Sequence, residues 1–144
     1  MLKKDHMYTH KKLIIWTLIT NFLIIVAGGH GIGVLGLMEA YIFSSLFNQN
    51  ISKPIIEIWP LILSAVITFL GQLTLLISFF TKPTLLLNLK IIGVLVLITG
   101  YIFLLIYLWT EPTIGASIIT AIPFLILASI TLFKNLKSKK VERV

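Results

Sequence analysis

The chain contains no cysteine, which excludes a disulfide framework, thiolate catalysis and zinc–thiolate centres. Charge is scarce as well: 12% of the 144 residues are charged, and the five carboxylates are Asp5, Glu39, Glu57, Glu111 and Glu142. Of the three histidines, His6 and His10 sit in a basic N-terminal segment and only His30 lies elsewhere. There is no H-E-x-x-H pair, nucleophile elbow, phosphate-cradling glycine loop or Cys/His cluster, so neither an enzyme nor a bound cofactor or metal is expected. What is abundant is apolar surface. Hydrophobic residues make up 58% of the chain and the mean hydropathy is +1.04. A chain this short has no interior large enough to hide that much apolar area from water, so it reads as an all-α integral membrane protein.

A helix needs roughly 20 apolar residues to cross a bilayer. Four segments meet that requirement: 13–32, 58–80, 85–108 and 113–133. Residues 1–12 and 134–144 are then basic tails, and 33–57 forms a long outer loop. The expected fold is a four-transmembrane-helix bundle in one membrane domain. Met1 to Lys12 followed by Leu13 to Ala27 resembles a signal peptide, but no small-residue cleavage site follows, so it reads as an uncleaved anchor. The net charge of +7 is carried beside the apolar segments, which points to lipid and not to nucleic acid as the partner.

Lysine placement sets the orientation. Lys3, Lys4, Lys11, Lys12, Lys82, Lys90, Lys134, Lys137, Lys139, Lys140 and Arg143 fall on the face of the termini, against Lys53 alone on the other. Both termini are therefore expected in the cytoplasm, with anionic lipid at that face. Trp16, Trp59, Tyr107 and Trp109 fall near the expected interfaces, Thr81 to Thr84 makes an inner turn, and Thr110 to Pro112 makes a short outer one. A shift of 52 residues aligns Pro60, Ile67, Thr68 and Lys82 with Pro112, Ile119, Thr120 and Lys134, the pattern of a duplicated helical hairpin. The Ile-, Lys- and Asn-rich usage suits a bacterial inner membrane.

Each span carries small or polar residues at helical spacing: Thr17, Asn21 and Gly28; Ser64, Thr68 and Gln72; Gly93, Gly100 and Tyr107; Thr113, Ser117 and Thr120. Such stripes pack helices together in lipid. Asn21 and Gln72 lie at similar depth and are expected to share a hydrogen bond, with lining of a hydrated path as the sharper alternative. No ionisable residue is expected near the midplane, which argues against a proton-coupled device. Pro123 interrupts the fourth span and is a candidate hinge.

The first outer loop has no counterpart in the second half. It is entered through Gly28, Gly29, His30, Gly31, Gly33 and Gly36. Glycines at this density weaken a continuous helix. The segment 33–47 is expected as an interfacial or re-entrant helix, with extension of the first helix as the third possibility. His30, Glu39, Glu57 and Glu111 are expected near one outer level, as a candidate cation or acid/base group. Taken singly, Glu39 would keep an interfacial helix wet, Glu57 would pair with Lys53, and Glu111 would sit at a helix N-terminus.

In topology the four-span layout resembles the claudin type, without that family's loop Trp and cysteine pair. Small multidrug transporters also have four spans, but carry a carboxylate in the first helix where this chain has Asn21. Neither resemblance carries a function. The leading expectation is a non-enzymatic membrane subunit that self-associates or docks to another membrane protein. A small oligomeric channel or transporter lined by the polar stripes is the alternative, and a lipid-modifying enzyme using the outer His/Glu group the third.

Overall fold

The computed structural model describes residues 2–28, 31–47, 55–81, 83–109, 111 and 114–141. Five helices and one hairpin follow in order: α1 (Leu2–Phe22), β1 (Ile25–Gly28), β2 (Gly31–Val34), α2 (Leu35–Phe47), α3 (Ile55–Ser78), α4 (Pro83–Leu108) and α5 (Ile114–Val141). Three stretches are long and apolar enough to cross a membrane: Trp59–Ser78, Leu87–Leu108 and Ile114–Lys137. They match the expected second, third and fourth spans to within a few residues, and with this composition they support an integral membrane protein.

The expected first span over 13–32 is not one helix. α1 includes the basic segment that reads as a tail and stops at Phe22. Residues 25–34 then form an antiparallel pair, with Ile25 opposite Val34 and Gly28 opposite Gly31. The cause is local. Ile24, Ile25 and Val26 are β-branched and stiff at χ1, and the glycines that follow are poor helix formers. The helix expected within 33–47 does form, as α2, with Leu35, Glu39 and Ile42 buried against the protein and Leu37 and Tyr41 exposed on its other face.

α3 and α4 make the closest helix pair. Glycine lets their backbones meet, since a Cβ at Gly71 would stand 2.9 Å from the backbone nitrogen of Leu97 and one at Gly100 would stand 3.0 Å from that of Thr68. Ser64 fastens the seam by donating to the Gly100 carbonyl over 2.8 Å. Thr68 turns its hydroxyl back to the Ser64 carbonyl at 2.7 Å. The polar stripe of α3 is thus partly a packing surface.

α1 packs antiparallel to α5. Thr17 meets Thr131 near one end of the contact, and Ile25 meets Ser117 and Thr120 near the other. The lysine-bearing start of α1 and the lysine-bearing end of α5 therefore share one end of the protein. α4 joins α5 through the edge contact of Tyr101 on Phe124, with ring centroids 6.2 Å apart. Pro123 lies inside α5, which continues through it. Pro60 similarly lies inside α3.

Replacing Gly100 by leucine should destabilise the protein by about 1–3 kcal/mol, because the incoming side chain must push α3 away. Gly115 has open space around it, so Gly115→Ala should be neutral or stabilising by up to about 1 kcal/mol. Thermal unfolding of the two variants in one detergent checks the contrast.

Candidate functional site

A chain that leaves helical geometry among apolar side chains must find new partners for its peptide groups. Here α5 supplies them. The Ser117 hydroxyl donates to the Ile25 carbonyl over 2.6 Å, and the Ile25 N–H donates to the Thr120 hydroxyl over 3.0 Å. The returning strand ends where it began, with the Leu35 N–H donating to the Ile24 carbonyl at 2.7 Å. α2 therefore starts beside the end of α1. Gly36 gives the Phe22 ring its place there, since a Cβ would overlap the ring and push it aside.

This route brings Glu39 against α3. Its side chain is only 4% exposed, and the Gln72 amide donates to its two carboxyl oxygens over 3.1 and 3.4 Å. Phe43, one turn later, packs on Phe69 with ring centroids 5.1 Å apart. Gln72 lies within the Trp59–Ser78 span, roughly 20 Å from its Trp59 end and about 9 Å from its Ser78 end at the rise of an α-helix. Glu39 thus packs against a stretch of α3 that is long and apolar enough to cross a membrane. One expectation falls with this finding, that Glu39 keeps a surface helix wet. A buried carboxyl with a single amide donor has two stable conditions, one with a proton on it and one with a cation against it.

The expected pairing of Asn21 with Gln72 does not form. Gln72 is engaged with Glu39, while Asn21 is fully buried with no hydrogen-bond partner for either amide atom. Ser64 and Thr68 serve the α3–α4 seam. Glu111 is half-buried in the turn after α4, where its carbonyl accepts from the Ile114 N–H over 3.2 Å. It is therefore not at the depth of Glu39, and the expected outer cluster is not assembled from these two. Gly29, His30 and the side chain of Glu57 lie outside the described residues. Among those described, no group of three or more His, Cys, Asp or Glu could hold a metal ion. Gly28 and Gly31 face one another across the hairpin, and Gly33 is paired with Val26.

Sequence reasoning missed the burial of four polar residues: Ser78, whose hydroxyl donates to the Leu75 carbonyl over 2.6 Å, Lys90, and a threonine and an asparagine of α5. Thr131 meets Thr17 at 3.3 Å. Asn135 is 1% exposed and has no partner. Lys90, placed on the inner face by charge counting, is buried in α4. A readable signal existed for the α5 pair, since Thr131 and Asn135 repeat on α5 the four-residue spacing of Thr17 and Asn21 on α1.

Gln72→Leu should cost about 1–3 kcal/mol by stripping Glu39 of its donor. Glu39→Leu combined with Gln72→Leu should recover most of that loss, because an apolar pair leaves nothing unsatisfied. A double-mutant cycle on detergent-solubilised protein measures the coupling. Compared with known proteins, the chain matches no family model, no curated protein and no solved structure.

Proposed function

We propose that the protein is a small non-enzymatic transport protein of the membrane, in which Glu39, supported by Gln72, binds a proton or a small monovalent cation during its passage. The single observation that carries this reading is the burial of the Glu39 carboxyl at the depth of Gln72. An ionisable group kept inside a membrane protein is costly, and such groups mark ion and proton pathways. The break in the first crossing supports the same reading, because interrupted segments expose peptide groups and small residues where a cargo passes. Of the roles open from the sequence, the docking subunit gains no specific observation, whereas transport gains both of these.

The topology that goes with this function has four crossings and both termini in the cytoplasm. Three are α3, α4 and α5. The first is interrupted, with α1 entering from the cytoplasmic side, the hairpin inserted after it, and α2 resuming the path. The antiparallel contact of α1 with α5 supports it, since it gathers the lysines of both helices at one end, where anionic lipid favours them.

Purified protein reconstituted in liposomes should carry a cation current, read with a pH-sensitive dye and with sodium and potassium gradients. Glu39→Gln keeps the shape and an amide contact but removes the charge, so flux should fall by about tenfold or more with thermal stability retained. Wild-type vesicles no leakier than empty ones would overturn the proposal.

A further inference from the structure

Lys90 carries a positive charge into the protein. It is the fourth residue of the Leu87–Leu108 stretch, and only 6% of it is exposed. A lysine near the end of a span ordinarily stretches its amine out to water. Here the register that sets Gly100 against Thr68 and Gly93 against Leu75 puts Lys90 beside Ser78, at the end of α3. Unlike the amides of Asn21 and Asn135, its ammonium is not sealed from the surface. What acts on it is a second cation, since Lys11 of α1 is close enough for its charge to be felt at Lys90. Lys137 joins them in level, because six residues from the Thr17–Thr131 contact lead to Lys11 on one antiparallel helix and to Lys137 on the other. The carboxylates with described side chains stand elsewhere, Glu39 against Gln72 and Glu111 in the turn after α4. A buried ammonium beside like charge is costly until an anion meets it.

We propose that Lys90, Lys11 and Lys137 form a binding site for the phosphate of an anionic phospholipid, such as phosphatidylglycerol, at the lysine-bearing end of the protein. An ammonium offers donors and no acceptor, so its ligand must bring acceptor oxygens and negative charge. A phosphodiester has both, with two unesterified oxygens that share one charge and accept from different lysines. Lys11 and Lys137 are exposed and meet the headgroup from outside, with Lys90 as the inner contact. The surroundings select a lipid over a free anion. Ile92 and Phe133, each nine residues from the Tyr101–Phe124 contact toward this end, are 51% and 71% exposed. Trp16, next to Thr17, is 56% exposed. Acyl chains cover such side chains, whereas an inorganic anion leaves them bare. A headgroup with its own ammonium, as in phosphatidylcholine, would add a further cation among the lysines, so a net negative lipid is preferred. Basic pockets between membrane helices hold headgroups in this way. The site lies apart from Glu39 and does not rest on the transport reading.

The test uses the full-length chain in dodecyl maltoside with phosphatidylglycerol, phosphatidylcholine or inorganic phosphate added. Native mass spectrometry reads bound lipid, and a thermal ramp reads the stabilisation that binding brings. The wild type should bind phosphatidylglycerol more tightly than phosphatidylcholine by about fivefold or more. Lys90→Met fills much the same space without charge, so the protein should still fold, while its affinity for phosphatidylglycerol should fall by about tenfold. Lys11→Met changes an exposed side chain, keeps the test decisive if α4 does not tolerate the first substitution, and should cost about fivefold. Lys140→Met removes the same charge further along α5 and should cost less than about twofold. Phosphatidylglycerol binding unchanged in Lys90→Met and in Lys11→Met would overturn the site, and so would equal binding of the two lipids or an equal loss in Lys140→Met. Inorganic phosphate that protects the wild type as well as phosphatidylglycerol does would overturn the assignment to a lipid.

Discussion

Peptide groups among apolar side chains must be hydrogen-bonded, and this fold turns on how that requirement is met between Phe22 and Leu35. The chain stops being helical at Phe22, and Ile24 and Val26 are buried just beyond. Its polar groups go to one another across β1 and β2, and to two hydroxyls of α5. Once Ser117 and Thr120 hold Ile25, the rest follows in sequence. The strand returns to Ile24, α2 begins beside Phe22, Gly36 admits the ring, and Glu39 arrives at Gln72. The carboxylate position is thus a consequence of backbone satisfaction some fifteen residues earlier.

The surroundings of Glu39 differ in kind on its two sides. α3 and α4 form a tight wall, closed by glycines at 71, 93 and 100 and pinned by Ser64. On the other side stands a short helix joined to the rest by a hairpin and by the segment 48–54. A charge-bearing group is thus presented by the lighter element to the heavier one. Exchange of a proton for a cation at the carboxyl changes the contact with Gln72 directly, and so bears on how α2 sits against α3.

The three long helices were legible because length and hydropathy are the properties that define them. Pro83 and the Thr110–Pro112 turn gave their ends to within a few residues. The expected first span was harder to read. Leu13 to Ile32 has the composition of a span, and composition outweighed two local signals pointing the other way. Those signals were the β-branched Ile24-Ile25-Val26 run and a Gly-Gly-containing connection between two such runs, the pattern of a hairpin. The burial of Glu39 was missed for the same reason, since a residue after a complete span is expected on an outer surface, whereas here the hairpin turns the chain back and α2 packs on α3. The partner of Gln72 depended on that long-range geometry. The Thr17/Asn21 and Thr131/Asn135 correspondence was present in the sequence, but pairing it required knowing that α1 lies on α5.

The repetition of Thr-x-x-x-Asn on two antiparallel helices makes their register degenerate. In the observed alignment the threonines face each other and the asparagines are left over. A slide by one helical turn would set Thr17 opposite Asn135 and Asn21 opposite Thr131, so that side-chain complementarity alone gives no preference for the observed alignment. The same slide would carry Ile25 past Ser117 and Thr120 to face Ala121 and Phe124, which offer its peptide no hydroxyl. The two hydrogen bonds at Ile25 are therefore a register lock. They hold α1 one turn away from an alignment that its own polar face would accept.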